Sequence, residues 1–290
     1  MPVTDAALRD ALASALGRPV GPLLRRPWDY ASSAPMEVIS APGLAPLLFK
    51  QLGEEGGARP AFLADPAREI AAYDLLPAEL GAPRRIGAVR DGARAWLFLE
   101  LVDGIPLWQA AGIDEWEAAA RWLARLHATP VPRAPHLLAH DAALAHRWLA
   151  RALAAAPELA AIAVAADAAI ERLARLPRVL VHGELYPANV LVAADGRIRT
   201  VDWETLGTGP AALDLAALTS GAWRAEDRAR VLAAYRAAAG TGAADDGDLA
   251  AARLVGALQW VGWSAGWTPP PEQRHDWLGD ALALGSELAP

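Results

Sequence analysis

No cysteine occurs in the 290 residues, which excludes disulfides, thiolate nucleophiles and cysteine-bound zinc. Lysine is almost as scarce: of 27 basic residues only Lys50 is not an arginine. Against 34 acidic residues this leaves a net charge of −7, which argues against nucleic-acid binding driven by phosphate attraction. Long apolar runs are also missing. The most bilayer-like stretch, Ala152 to Ile170, is largely alanine and is interrupted by Pro157, Glu158 and Asp167, so it reads as helix in a water-soluble protein, with no membrane partner. The start, MPVTDAALRD, lacks a basic segment followed by an apolar core, so no secretory signal is visible and a cytoplasmic location is expected.

What is present favours a large core, since 54% of residues are hydrophobic. Lys50 ends the apolar run Leu47-Leu48-Phe49 and precedes Gln51 and Leu52, so one ammonium sits in a strand. A compact, mobile cation at that place suits a phosphate site better than a guanidinium fork does. The bland alternative is a stray surface lysine in an arginine-biased composition. Around it, Thr4 caps a helix with Leu8, Leu12 and Leu16 on one face, and runs at 23–30, 36–40 and 44–52 form a three-strand meander. Asp65-Pro66 starts a helix with Glu69 in its first turn, and Trp96 to Val102 is a further strand. Beyond Asp103-Gly104 the pattern predicts helices near 114–128, 140–156, 160–176, 210–222, 225–239, 246–266 and 272–287. Short strands at 178–181, 190–193 and 197–201 interrupt them. The expectation is an α+β fold of two lobes: a small antiparallel-sheet lobe over 1–102 and a larger, mainly helical lobe over 103–290.

The inserted β segment, VLVHGELYPANVLVAADGRIRTVDWE, puts polar residues at strand ends. Glu184, Asn189 five residues on, and Asp202 after the hairpin can converge on one point, and such hard oxygen donors suit magnesium completed by substrate phosphates. Each residue has a duller role available. His182 can brace the loop through a backbone hydrogen bond, Asn189 and Asp202 can serve turns, Glu69 can be a solvated charge, Asp214 can tie a loop, and His127 can be a satisfied core histidine.

His182-Gly183-Glu184 with Asn189 resembles the catalytic-loop pattern HGDxxxxN of the aminoglycoside phosphotransferase and choline kinase-like group, relatives of the protein kinases. Asp202 in Val201-Asp202-Trp203-Glu204 is similar to that group's metal-binding aspartate, and Leu126-His127-Ala128 and Asp214-Leu215-Ala216 match two further signatures. The resemblance implies a protein-kinase-like fold and the cofactors ATP and Mg²⁺. It assigns Lys50 and Glu69 to an ion pair on the nucleotide phosphates, and Ser32, Ser33, Glu100 and Val102 to the nucleotide. It assigns Asn189 and Asp202 to the metal, and Glu184 to the acceptor hydroxyl as base.

Two departures stand out. The catalytic acid is Glu184 instead of aspartate, an extra bond of about 1.5 Å, and Ser32-Ser33 replaces a glycine-rich nucleotide loop. Gly207-Thr208-Gly209-Pro210-Ala211-Ala212 formally fits a dinucleotide fingerprint, but the helices that follow do not make a βαβ unit, so it reads as a loop. For the acceptor, Trp260, Trp263 and Trp267 share helical spacing, with Trp223 and Trp277 nearby, a pattern more often core than binding surface. Glu204, Glu226, Asp227 and Asp276 can alternatively receive an amino sugar. The leading expectation is ATP-dependent phosphoryl transfer to a hydroxyl of a small molecule such as an aminoglycoside or another natural product. A kinase for Ser or Thr in a peptide and a pseudokinase scaffold are the alternatives; a nicotinamide oxidoreductase is the least favoured.

Overall fold

The computed structural model describes residues 3–28, 35–53, 60–91, 94–110, 112–240, 243–264 and 274–289. Ser32, Ser33 and Trp267 lie outside them. The chain divides into two compact units: residues 1–104 together with 199–204, and residues 105–198 together with 205–290.

In the first unit, α1 (Asp5–Leu16) starts on the Thr4 side chain, which accepts from the Ala7 amide, and ends at Gly17. Strands β1 (Leu24–Pro27), β2 (Met36–Ala41) and β3 (Leu44–Leu52) form the expected meander, and α2 (Pro66–Leu75) follows with Asp65 as its cap. Then come β4 (Arg85–Asp91) and β5 (Arg94–Glu100), which complete a five-stranded sheet of order β1-β2-β3-β5-β4. β4 was not expected. Its Gly87 weakens the strand pattern but lets α1 close in, because a Cβ there would run into Ala15.

Alternation along β3 and β5 decides what each face buries. Leu47, Phe49 and Phe98 pack with Leu8 and Leu12 of α1, and the opposed pair Phe49 and Phe98 stacks at 5.5 Å. Leu52, Leu97 and Leu99 pack with Ile70 of α2, with Leu48 beside them. Lys50 shares the face of Leu48 and Leu52, so its parity on the strand aims it toward α2.

The second unit begins with β6 (Ile105–Pro106), α3 (Ile113–Ala128), β7 (Leu138–Ala139), α4 (Ala142–Ala155) and α5 (Ala163–Ala174). The alanine-rich stretch is therefore not one helix: Pro157 opens a 3₁₀ turn between α4 and α5. Next are β8 (Arg178–Val181), β9 (Val190–Val192), β10 (Ile198–Thr200) and β11 (Gly207–Pro210), then α6 (Ala212–Leu218), α7 (Ala225–Ala239), α8 (Asp246–Ser264) and α9 (Trp277–Glu287). β9 pairs with β6, and the chain leaves the second unit within β10, after Ile198, for residues 199–204 of the first unit.

The loop expected at Gly207 is a strand, β11, antiparallel to β8 and parallel to β7. Glycine is required there by close approach: a Cβ on Gly207 would collide with the Leu138 carbonyl, and one on Gly209 would crowd His140. α8 is apolar on most sides and buries Leu249, Leu254, Val255, Leu258 and Val261 among α4, α5, α6 and α9. Among the described residues no helix is long and apolar enough to cross a membrane.

Candidate active site

Lys50 is 2% exposed, and its Nζ lies 2.9 Å from Glu69, 2.6 Å from Asp202 and 3.5 Å from Glu204, all within the first unit. The stray-surface reading of this residue is therefore wrong. Glu69 and Glu204 are buried as deeply, so one ammonium faces three carboxylates where water screens little. The three acids present oxygens within 4.8 Å of one another. That donor set, hard oxygens in excess of cationic charge, fits a divalent cation such as magnesium.

Local structure fixes each member. Glu69 is placed by the Asp65 cap, and the Tyr73 hydroxyl donates to it at 3.3 Å. Burial, then the Glu69 charge, pushes that hydroxyl well above the ordinary tyrosine range, which keeps it a donor. Asp202 has φ of 64°, the one left-handed non-glycine residue among those described, a strained geometry that clusters at functional positions. Arg68, beside Glu69, donates to the carbonyls of Leu63 at 2.9 Å and Glu204 at 3.3 Å, so the helix and the 199–204 segment share a buried clamp. Nothing in the sequence marked Arg68, since it resembles 25 other arginines.

The second unit holds the loop after β8. Asp214, at the start of α6 and 0% exposed, accepts from the amides of His182 at 2.7 Å and Gly183 at 2.8 Å, with His127 at 3.3 Å and Tyr235 on the far side of that ring at 2.7 Å. Burial alone would raise the Asp214 carboxyl; the His127 hydrogen bond and charge, with His182 and its amide, outweigh it and hold the group below its ordinary value. Gly183 has φ of 85°, and a side chain there would strike His140 and the Thr205 carbonyl. His182 is buried, with Nδ1 3.4 Å from the Glu184 amide, a bracing position. Asn189 donates to the Glu184 carbonyl at 2.9 Å, which closes the loop on itself.

Glu184 Oε1 accepts from Gln259 of α8 at 3.4 Å. Gln259 was missed, although it is the one polar residue in the run Leu254 to Val261. Beside Glu184 stands an aromatic cluster: Tyr186 meets Trp260 at 5.1 Å and Trp277 at 6.4 Å, and Trp260 and Trp277 stack at 5.4 Å with His275 against the latter. Burial there, then the Glu184 charge, raises the Tyr186 hydroxyl far above its usual range. Trp263 stacks on Trp148 and Trp223 lies edge-on to Trp116, so these two pack against neighbouring rings.

Of the acids considered for an amino sugar, Glu204 is engaged with Lys50, Glu226 pairs with Arg224, and Asp276 caps α9; Asp227 is half-buried in the first turn of α7. Glu100 ends β5, its carboxylate held by the Arg84 amide at 3.0 Å and by Arg199 at 3.1 Å, and Val102 lies just past the strand. Burial would raise the Glu100 carboxyl, but these donors take it below its ordinary value.

A family model described as the phosphotransferase enzyme family matches residues 43–255. No curated protein sequence matches the chain significantly. Among solved structures, the choline kinase LicA from Streptococcus pneumoniae is 15% identical with a TM-score of 0.73, covering 98% of each chain. An aminoglycoside-3'-phosphotransferase of type VIII is 23% identical with a TM-score of 0.60, covering 86% of this chain and 98% of its own. The macrolide 2'-phosphotransferase MphH from Brachybacterium faecium is 20% identical with a TM-score of 0.62, covering 100% and 99%. At these identities the likeness is one of fold: the α+β, protein-kinase-like fold of small-molecule phosphotransferases, with an antiparallel-sheet N-terminal part and a helical C-terminal part.

Proposed function

Because this chain belongs to the phosphotransferase enzyme family, we propose that it transfers the γ-phosphoryl group of ATP to a hydroxyl of a small molecule. The observation that carries the reading is the buried Lys50 ammonium held between Glu69 and Asp202. An arrangement of that kind positions a lysine for nucleotide α and β phosphates. Asp202 and Asn189 would hold Mg²⁺, which would supply positive charge against the phosphates. Ser32, Ser33, Glu100 and Val102 complete the nucleotide site, Glu100 through its backbone because its carboxylate is engaged.

Glu184 orients the acceptor hydroxyl and takes its proton. Phosphoryl transfer leans on positioning and charge more than on early proton abstraction, so a glutamate can serve where the loop is set for it. Here Gln259 reaches the carboxylate and Asn189 fixes the backbone behind it. The acceptor class is a hydroxyl compound of the kind the solved relatives are named for, a choline, an aminoglycoside or a macrolide. The protein works in the cytoplasm, where ATP is available.

The test is transfer of labelled γ-phosphate from Mg·ATP to a panel of amino alcohols, aminoglycosides, macrolides and hydroxy acids, in parent and Asp202→Asn. The expected result is transfer to at least one acceptor by the parent, lowered at least about a hundredfold in the variant. ATP binding with no transfer to any acceptor would make the protein a scaffold, and an Asp202→Asn protein as active as the parent would remove the metal role.

A further inference from the structure

Arg228 on α7 and Arg253 on α8 lie in the second unit and take no part in the site described above. Each is anchored by one nitrogen: Arg228 Nη2 donates to the Gly221 carbonyl at 2.8 Å, and Arg253 Nη2 reaches the Thr219 hydroxyl at 3.4 Å. The two anchors are two residues apart in the α6–α7 connection, which brings the guanidiniums together. Among the described residues each buried Nε has no hydrogen-bond partner, and neither guanidinium has a carboxylate within ion-pair distance.

The contrast along α7 is informative. Its other two arginines are outward and paired, Arg230 with Glu117 at 2.7 Å and Arg236 with Asp246 at 2.5 Å. Only the inward Arg228 is left next to another cation. Asp280 and Asp246 act on the pair from a distance, but burial prevails over them: it lowers Arg228 and, with repulsion from Arg228, brings Arg253 down to about 10. Two desolvated like charges with open donors are unfavourable unless something anionic completes them.

We propose that Arg228 and Arg253 form an anion site that takes a carboxylate or phosphate group, bound by the two guanidiniums, whose Nε–H groups lack an acceptor among the described residues, with Thr219 and Gly221 holding the forks in place. Bidentate recognition of planar or tetrahedral oxyanions is what paired guanidiniums are shaped for. The anion has two possible sources, a free inorganic ion or a negatively charged group on the acceptor. The second source rests on the proposed function. Arg253 and Trp260 share one face of α8, seven residues or about 10.5 Å apart, and Trp260 meets Tyr186, two residues beyond Glu184. A hydroxyl compound with an anionic group at the far end would span that stripe.

The experiment is a titration of the full chain read on the arginine ¹⁵Nε–H resonances, assigned by their loss in Arg228→Lys and Arg253→Lys. Inorganic phosphate, glycerol 2-phosphate and 3-hydroxybutyrate are the probes. Both resonances are expected to move and saturate together. Arg253→Gln, read on Arg228, is expected to weaken phosphate about tenfold or more, and Arg253→Lys, which keeps charge without the fork, to weaken it less. Asp202→Asn is expected to leave the titration unchanged, which separates this site from phosphate binding near Lys50 and separates failure here from failure of the kinase reading. Inorganic phosphate binding as well as the hydroxylated probes identifies a free anion. Hydroxylated probes binding about tenfold more tightly identify the acceptor's own group. Resonances that stay still with every probe, or equal phosphate affinity in Arg253→Gln and parent, overturn the proposal.

Discussion

Three carboxylates around one ammonium make Lys50 a position where size matters as much as charge. A guanidinium in that space would need five donors satisfied in a planar fork, whereas the ammonium meets Glu69, Asp202 and Glu204 as a point. Lys50→Arg is therefore expected to lower kcat/KM for ATP at least about a hundredfold and to destabilise the fold by about 2 kcal/mol; turnover and thermal melts measure both, and an arginine variant with parental turnover would refute the size argument. At Asp202, asparagine keeps the short polar side chain tolerated at positive φ, while alanine adds a backbone penalty of about 1 kcal/mol. The expected order of melting temperatures is parent or Asp202→Asn above Asp202→Ala, with transfer lowered at least about a hundredfold in both variants. At this scale the placements of three residues were legible: Lys50 from its rarity and its strand, Asp202 from its place after a hairpin, and Glu69 from the Asp-Pro start of its helix, its pairing with Lys50 coming only from the family resemblance. Arg68 and Gln259 escaped because one is an arginine among many and the other lies in a helix whose pattern announces only burial.

The loop between β8 and the 3₁₀ turn at Pro187 has little regular structure, and its shape comes from side chains outside it. Asp214 accepts two of its amides, so Asp214→Ala would leave the buried His182 amide and the part-buried Gly183 amide unpaired, at a cost of about 3 kcal/mol. The pH dependence follows from the depressed carboxyl: its stabilisation is fully present above the ordinary aspartate pKa and is lost as pH falls through the lower folded value. Denaturant unfolding between pH 7 and pH 3 should show the parent losing this contribution at the acid end, and Asp214→Asn less stable at pH 7 with a flatter acid limb. An unchanged acid limb in the variant would count against the assignment. Gly183→Ala should be as damaging as loss of Asp214, because it meets both positive φ and two fixed neighbours; circular dichroism melts give the comparison. Helices and the first three strands were readable from periodicity and capping. β4 and β11 were not, because both carry glycines whose purpose is to let another backbone approach, and that need is invisible until the neighbour is known.

At the scale of the molecule, the first unit is discontinuous: residues 199–204 complete it after the chain has built most of the second. A chain ending at Gly104 would keep Lys50 and Glu69 but lack Asp202, Glu204 and Arg199. It is expected to melt lower than the intact protein and to show no stabilisation by Mg·ATP, against about 2.7 kcal/mol for the full chain at a hundredfold excess over Kd; calorimetry with and without nucleotide decides it. The sequence expectation set a boundary after residue 102, from the strand ending there and the Asp103-Gly104 break, and did not include the return of the 199–204 segment, since nothing local marks a strand end as belonging to a sheet seen much earlier. The same return sets a timetable on the ribosome. Lys50 and Asp202 are 152 residues apart, so at ordinary elongation rates the lysine leaves the exit tunnel roughly 8 to 30 seconds before its closest counter-ion does. During that interval Glu69 is its acidic partner, and the nascent sheet must hold a cation in a nearly closed apolar layer until the hairpin delivers the rest.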